Sequence, residues 1–312
     1  MIINIAFYNL ENFFDTYNDP DTLDDDFTPK GIMHWIKKRY FNKTYKIAKT
    51  IGKIGYHETG EPPALIGLAE VENNKVLKDL IHNKHLKKYH YHFIHFESND
   101  IRGMDVALLY RPEKFQILEA IPYPVNLYND EGKVYQTRDI LYCKGRFCSQ
   151  NFHFFINHWP SRREGDMESD QKRKLAAMRL SEQINYIQYE EDNPHIILMG
   201  DFNTNPNDPY IQSEILSLGF FNPALDFMHK KIGSTYHHHR WLMFDQILFS
   251  RNMTGKGKDC KFLDFKIYEP RYLSIWKGKF KGFPFRTYQG KKYQNGFSDH
   301  FPVYALLKNN QN

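Results

Sequence analysis

Asp201 and Asn203 follow directly on the apolar run IILMG. A carboxylate and a carboxamide two residues apart at a strand's end could orient a water molecule and hold an anion. Asp, Asn and Pro could equally do no more than terminate a buried strand. The rest of the chain supplies partners. Asn9 with Glu11 stands in YNLEN, Glu70 in LAEVEN, His158 in INHWPSR, Asp245 in FDQILFS, and Asp299 with His300 in SDHFPV. Each lies beside an apolar run of strand character. Strand ends present side chains on a rigid scaffold. Several carboxylates, two amides and two histidines so placed make a metal-assisted hydrolytic site.

The elements that must position these groups follow from periodicity. Residues 2–10 read as a first buried strand, and 63–71 as a second that ends at Glu70. Residues 35–53 carry apolar positions at helical spacing, as do 73–86 and 172–190. Strands are expected over 89–96 and 105–112, with two late ones at FDQILFS and FPVYALL. A hairpin is expected with strands at 140–143 and 152–157 and its turn at KGRF. Strands and helices alternate, but hairpins and short strands are frequent. That favours mixed sheets over a purely parallel, doubly wound fold. The acidic segment 14–31 reads as a solvated loop, because it lacks the mid-loop glycine and closing Glu of an EF-hand. His90 and His92 would share one face of a strand, but no third metal ligand lies nearby.

Composition narrows the class. The chain has 312 residues, of which 41% are hydrophobic, enough for a sizeable core in one domain spanning 1–312. A formal charge of +5 is compatible with a polyanionic partner and does not prove one. Cys143 and Cys148 flank the expected turn and Cys260 stands alone, which suits a reducing compartment. No stretch reaches the length of a membrane span, and the opening MIINIAFYNLENFF has no basic segment of a signal peptide. The chain therefore reads as a cytoplasmic monomer, with secretion of a trimmed form left open.

The ordered set YNLEN, LAEVEN, RGMDVALLYRP, NHWPSR, GDFN, FDQILFS and SDHFPV resembles the endonuclease/exonuclease/phosphatase superfamily, and most of all its bacterial nuclease-like branch. GDFN alone is a weak signal. With NHW before it and SDHFPV after it, the signal is specific, and the match runs from about Asn4 to Leu307. The resemblance implies an α/β fold, a four-layered α/β sandwich of two mixed sheets face to face with helices outside. It also implies metal-dependent phosphoester hydrolysis, with Mg²⁺ expected and Mn²⁺ or Ca²⁺ as alternatives. Glu70 is then the leading metal ligand, with Asn9, Asp299 and Glu11 beside it. Asp201 would orient or deprotonate water. Asn203 and His158 would donate to phosphate oxygens. His300 with Asp245 would form a dyad, because a carboxylate on one ring nitrogen fixes the tautomer and favours the imidazolium.

Arg102, Arg138 and Arg162 are candidate phosphate contacts, since guanidinium matches phosphate bidentately. His237, in TYHHHRW, is a candidate substrate contact if it shares a strand face with His239. From 251 to 292, basic and aromatic residues interleave, a pattern suited to nucleic acid through phosphate contacts and base stacking, or to a solvated face over a ring-filled core. The expected activity is a Mg²⁺-dependent nuclease. Alternatives on the same scaffold are an inositol polyphosphate or phosphoinositide phosphatase and a sphingomyelinase-like phosphodiesterase, whose partner would be a phosphorylated small molecule or lipid headgroup. An inactive binding relative is a further alternative.

Overall fold

The computed structural model describes residues 1–128, 134–161, 166–237, 239–255 and 260–309. Its two large sheets are built from β1 (Ile2–Phe13), β2 (Leu65–Val71), β3 (His92–His95), β4 (Asp105–Tyr110), β5 (Phe115–Tyr123), β6 (Ile140–Phe147), β7 (Gln150–His158), β8 (His195–Asp201), β9 (Phe220–Phe221), β10 (Asp245–Ser250), β11 (Cys260–Ile267) and β12 (Val303–Asn309). One six-stranded sheet runs β11-β12-β1-β2-β4-β3, the other β9-β10-β8-β7-β6-β5. Both are mixed: β1 is parallel to β2 and antiparallel to β12, and β8 is parallel to β7 and antiparallel to β10. The principal helices are α1 (Lys37–Ile51), α2 (Asn74–Ile81) and α3 (Asp166–Glu190).

Side-chain alternation builds four layers. In β1, Ile3, Ile5 and Phe7 enter the core between the sheets, where Ile197 and Met199 of β8 meet them. The intervening Ala6, Tyr8 and Leu10 face Ile47 and Ile51 of α1 and Val76 and Leu80 of α2. Ile196 and Leu198 of β8 face Ala177, Leu180 and Ile184 of α3. The order is helix, sheet, sheet, helix: the α/β sandwich expected from the motifs. Strands buried on both faces read as unbroken apolar runs, which is why 2–10 and 195–199 stand out in the sequence. Each large apolar side chain so buried contributes roughly 1.5–3 kcal/mol. Gly67 lets the sheets approach, since a Cβ there would lie 2.9 Å from Met199 Sδ.

Several boundaries differ from expectation, each for a local reason. The β6–β7 turn is Cys148–Ser149, beyond KGRF, and both residues have positive φ (50° and 61°), as tight two-residue hairpins need. Cys148 then meets Cys260 across the sheets at 3.3 Å between sulfurs, so Cys260 does not stand alone, and all three cysteines are buried free thiols. His90 closes a short 3-10 turn with φ 50° and lies outside β3, so it shares no strand face with His92. The edge strand β5 is not announced by hydropathy, because its outer positions are exposed and its register shifts between Ile117 and Glu119. The acidic segment is not fully solvated: Asp15 and Asp24 are buried, and Leu23 N ties the segment to Ile101 O at 2.7 Å. No helix among the described residues is long and apolar enough to cross a membrane.

Candidate active site

Sheet register assembles half of the site. Asp201 is the strand partner of His158 on β7 and of Asp245 on β10, so the three lie in one row across adjacent strands. Gly200 must be small, because a Cβ there would stand 2.4 Å from Asn157 O. The strand pairing continues one step past Asp201, where Phe202 N donates to Phe244 O at 2.9 Å. At Asn203 the chain turns with φ 50°, and its N–H donates to Asp201 Oδ1 at 2.9 Å. Asn203 Nδ2 donates to Trp159 O at 2.8 Å. The turn-forming and the functional readings of this stretch are therefore compatible: the turn itself fixes the carboxylate.

The other sheet contributes through two irregularities. The β1–β2 register shifts between Asn9 and Phe13, and the β2–β4 register between Ala69 and Val71. At these bulges Glu11, Asn12 and Glu70 take left-handed backbone conformations, with φ 52°, 54° and 62°. Such conformations cost about 1–3 kcal/mol each in non-glycine residues and gather at functional sites. Asn12 N donates to Glu70 Oε2 at 2.6 Å. Asn9 Nδ2 lies 3.4 Å from Glu70 Oε1 and 3.0 Å from Asp201 Oδ2, and so joins the two sheets.

Two imidazoles flank Asp201. His158 Nε2 lies 3.8 Å from Asp201 Oδ2 and 3.9 Å from Glu70 Oε1. Its Nδ1 accepts from Arg138 Nε at 3.1 Å, and Asp100 Oδ2 holds Arg138 Nη1 at 3.1 Å. His300 Nδ1 meets Asp245 Oδ2 at 2.7 Å, leaving Nε2 3.9 Å from Asp201 Oδ2 and 4.0 Å from Asp299 Oδ1. Ser234 Oγ also donates to Asp245 Oδ2, whereas Asp245 Oδ1 is buried with no hydrogen-bond partner among the described residues.

Electrostatics separate the roles. Burial pushes the Asp201 carboxyl up to about 7; Asp245 adds to this, and His300 opposes it. Burial alone would depress His300, but Asp245, Asp201 and Asp299 together raise it well above the ordinary imidazole range. Asp299 is also penalised by burial, yet the positive charges of His300, Arg286 and Lys43 bring it below the usual carboxylate value. Arg286 Nη2 lies 2.8 Å from Asp299 Oδ2. Glu11 is turned elsewhere: Oε2 accepts from Thr287 N at 2.6 Å, and Oε1 is 3.5 Å from Arg286 Nε. Arg286 and Lys43 were not among the sequence candidates. Arg286 was one of many cations between 251 and 292, and nothing in its spacing singles it out. Lys43 sits in a helix pattern where a lysine reads as solvent-facing, yet its Nζ is buried and donates to Glu11 O at 2.6 Å.

Arg138 is buried and engaged with His158 and Asp100, and Arg102 Nε reaches Asp100 Oδ1 at 3.5 Å. These arginines thus form a chain behind His158. Arg162 lies outside the described residues. His237 is exposed at the end of a hairpin strand, Thr235–His237, and His239 lies in the turn, so the two share no strand face.

Two donor sets bear on a metal ion. Asp201, Asp245 and His300 have donor atoms within 4.8 Å of one another. A cation there would have to displace the His300–Asp245 hydrogen bond. Glu70 and Asp299 offer carboxylate oxygens, the chemistry a hard divalent cation prefers, whereas Asn9 turns its Nδ2 towards Glu70 and Asp201 and its Oδ1 accepts from Glu11 N at 2.9 Å.

A family model described as endonuclease/exonuclease/phosphatase family matches residues 4–309. Among solved structures, an endonuclease/exonuclease/phosphatase family protein from Bacteroides thetaiotaomicron is 18% identical, with 98% of each chain covered and a TM-score of 0.58. A mannosyl-6-phosphatase from the same species is 18% identical over 98% of this chain and 99% of that one, at 0.57. TDP2 from D. rerio, complexed with single-strand DNA product, is 15% identical over 98% and 99%, at 0.54. No curated protein sequence matches.

Proposed function

The chain belongs to the endonuclease/exonuclease/phosphatase family, hydrolases of phosphoester bonds, and from that premise we propose a Mg²⁺-dependent phosphodiesterase that cleaves nucleic acid. The observation that carries this reading is the convergence on Asp201 of Asn9 at 3.0 Å, His158 at 3.8 Å and His300 at 3.9 Å, with Glu70 beside Asn9.

Glu70 and Asp299 would hold the ion, with Asn9 Nδ2 steadying the Glu70 carboxylate at 3.4 Å. When bound, Mg²⁺ supplies positive charge that offsets charge on the phosphoryl and leaving oxygens. The remaining work falls to the chain. Asp201, buried and aimed by Asn9 and the Asn203 N–H, orients a water for attack and accepts its proton. His158, with Nδ1 accepting from Arg138, presents an Nε2–H donor to a phosphate oxygen. Asn203 would donate to the same anion. His300, held protonated by Asp245, donates to the phosphoryl group as negative charge grows. Nucleic acid as substrate is supported by the basic and aromatic residues between 260 and 292, three of which are the exposed lysines Lys277, Lys279 and Lys281.

The test is hydrolysis of plasmid DNA, single-stranded oligonucleotides, RNA, inositol phosphates and hexose phosphates, with Mg²⁺ or with EDTA. The expected result is metal-dependent cleavage of a nucleic acid, lost in Asp201→Ala and His300→Ala. Turnover confined to phosphomonoesters would replace nuclease by phosphatase. Full activity in both variants would overturn the site.

A further inference from the structure

Next to Asp299, residues 271–297 make an excursion that leaves the sheet and returns to it. Phe285 N donates to Leu273 O at 2.7 Å and Ile275 N to Phe283 O at 2.9 Å, which closes the excursion on itself. It walls a cavity of about 300 Å³. Phe283 forms one side and is held rigidly: it stacks on Tyr236 with ring centroids 3.7 Å apart, and Trp241 meets it edge-on at 5.7 Å. Phe280 forms the rim and is 41% exposed, although it is a large apolar side chain. Gln289 and Gln294 contribute carboxamides, and Arg286 and Asp299 line the end nearest His300.

We propose that this cavity is a subsite for one unpaired nucleobase adjoining the phosphate to be cleaved, an inference that rests on the nucleic-acid reading of the site. Four features favour a base. The volume suits a single nucleoside-sized unit, at the lower end of small-molecule pockets. The apolar lining is aromatic and flat, which stacks on any base. Carboxamides offer paired donors and acceptors, as a base edge does. Lys277, Lys279 and Lys281 are exposed and lie within three residues of Phe280 in the chain, a source of positive charge for the phosphates of a continuing strand. A base can enter only if it is unstacked and unpaired, so the chain acts on single strands and frayed ends in preference to intact duplex.

Equilibrium binding in EDTA tests the cavity without turnover. The probes are adenosine 5′-monophosphate and ribose 5-phosphate, followed by calorimetry. The wild type binds the nucleotide at least about 10-fold more tightly than the sugar phosphate. Phe280→Ala, at an exposed position that leaves the fold intact, weakens the nucleotide by about 10-fold and leaves the sugar phosphate unchanged. Gln289→Ala, also exposed, weakens only the nucleotide. Equal binding of the two probes, no measurable nucleotide binding at millimolar concentration, or an unchanged nucleotide affinity in Phe280→Ala would overturn the proposal. Weakening of both probes alike would also do so, and would make the cavity a saccharide subsite. A separate arm uses Mg²⁺ and a single-stranded oligonucleotide, either intact or with one base replaced by a tetrahydrofuran spacer. Slower cleavage beside the spacer in the wild type, and no such difference in Phe280→Ala, supports the subsite. If no oligonucleotide is cleaved at all, the nuclease reading fails, and the binding arm still decides the cavity.

Discussion

Arg138 Nε donates to His158 Nδ1 across 3.1 Å. Guanidinium can only donate, and Nη2 also comes within 3.5 Å of Nε2; the shorter bond makes Nδ1 the acceptor and assigns the proton of the neutral ring to Nε2, the nitrogen nearest Glu70 and Asp201. Arg138→Ala is expected to lower kcat about 10–100-fold, the equivalent of a charge-assisted hydrogen bond. It also leaves buried Asp100 with only the longer Arg102 contact at 3.5 Å, and Tm falls. Adding Asp100→Asn should recover Tm and not kcat. If the double variant recovers both, Arg138 serves only the fold.

His300 and Asp245 share a hydrogen bond of 2.7 Å and act as one unit. Each single variant, His300→Ala or Asp245→Asn, should lower kcat by about 10²–10⁴-fold. The double variant should be no slower than the worse single. Multiplicative losses in steady-state assays would mean that the two side chains work independently.

Metal dependence should pass through Glu70. Activity is expected to vanish in EDTA and return with Mg²⁺. Glu70→Gln should raise the Mg²⁺ concentration for half-maximal rate by at least about 10-fold. An unchanged metal requirement in that variant would place the ion elsewhere, with the Asp201, Asp245 and His300 group next in line.

Glu72, two residues beyond Glu70 and set among Asp15, Asp19 and Asp24, gives a pH test of stability. Burial pushes its carboxyl up to about 8, with Asp15, Asp24 and Asp19 adding repulsion. A raised acid favours the folded state below its unfolded value and loses that contribution as pH climbs through the folded one. Glu72→Gln keeps an acceptor for Asp15 N and removes the titration. Thermal denaturation should show the variant more stable than wild type at pH 9 and close to it at pH 4. Parallel Tm profiles across that range would contradict the burial argument.

The core strands β1, β2, β7 and β8 were legible because they are covered on both faces, and unbroken apolar runs are the mark of such strands, whereas the sandwich itself followed only from the resemblance of the ordered motifs to a known family. The sequence also announced the polar residues at the strand ends. Three features were illegible. The bulges at Glu11 and Glu70 depend on register shifts between strands far apart in the chain, which local pattern does not encode. Arg286 reaches Asp299 only because the 271–297 excursion folds back. Glu11 follows YNL as closely as Asn9 does, yet its oxygens turn to the Thr287 and Tyr288 amides, and no spacing rule distinguishes the two fates.

The pairing of β1 with β12 has a consequence in time. Phe7 lies opposite Val303, so the strand that delivers Asn9 is flanked by the strand that follows Asp299 and His300. The first residues of the site to leave the ribosome wait for the last, and the sheet between them cannot close until both are made. A nascent chain that stops short of Asp299 lacks His300 as well, and the strand that flanks β1, however much of the sandwich it has already formed. Folding is correspondingly dominated by contacts remote in sequence, which are slow to form.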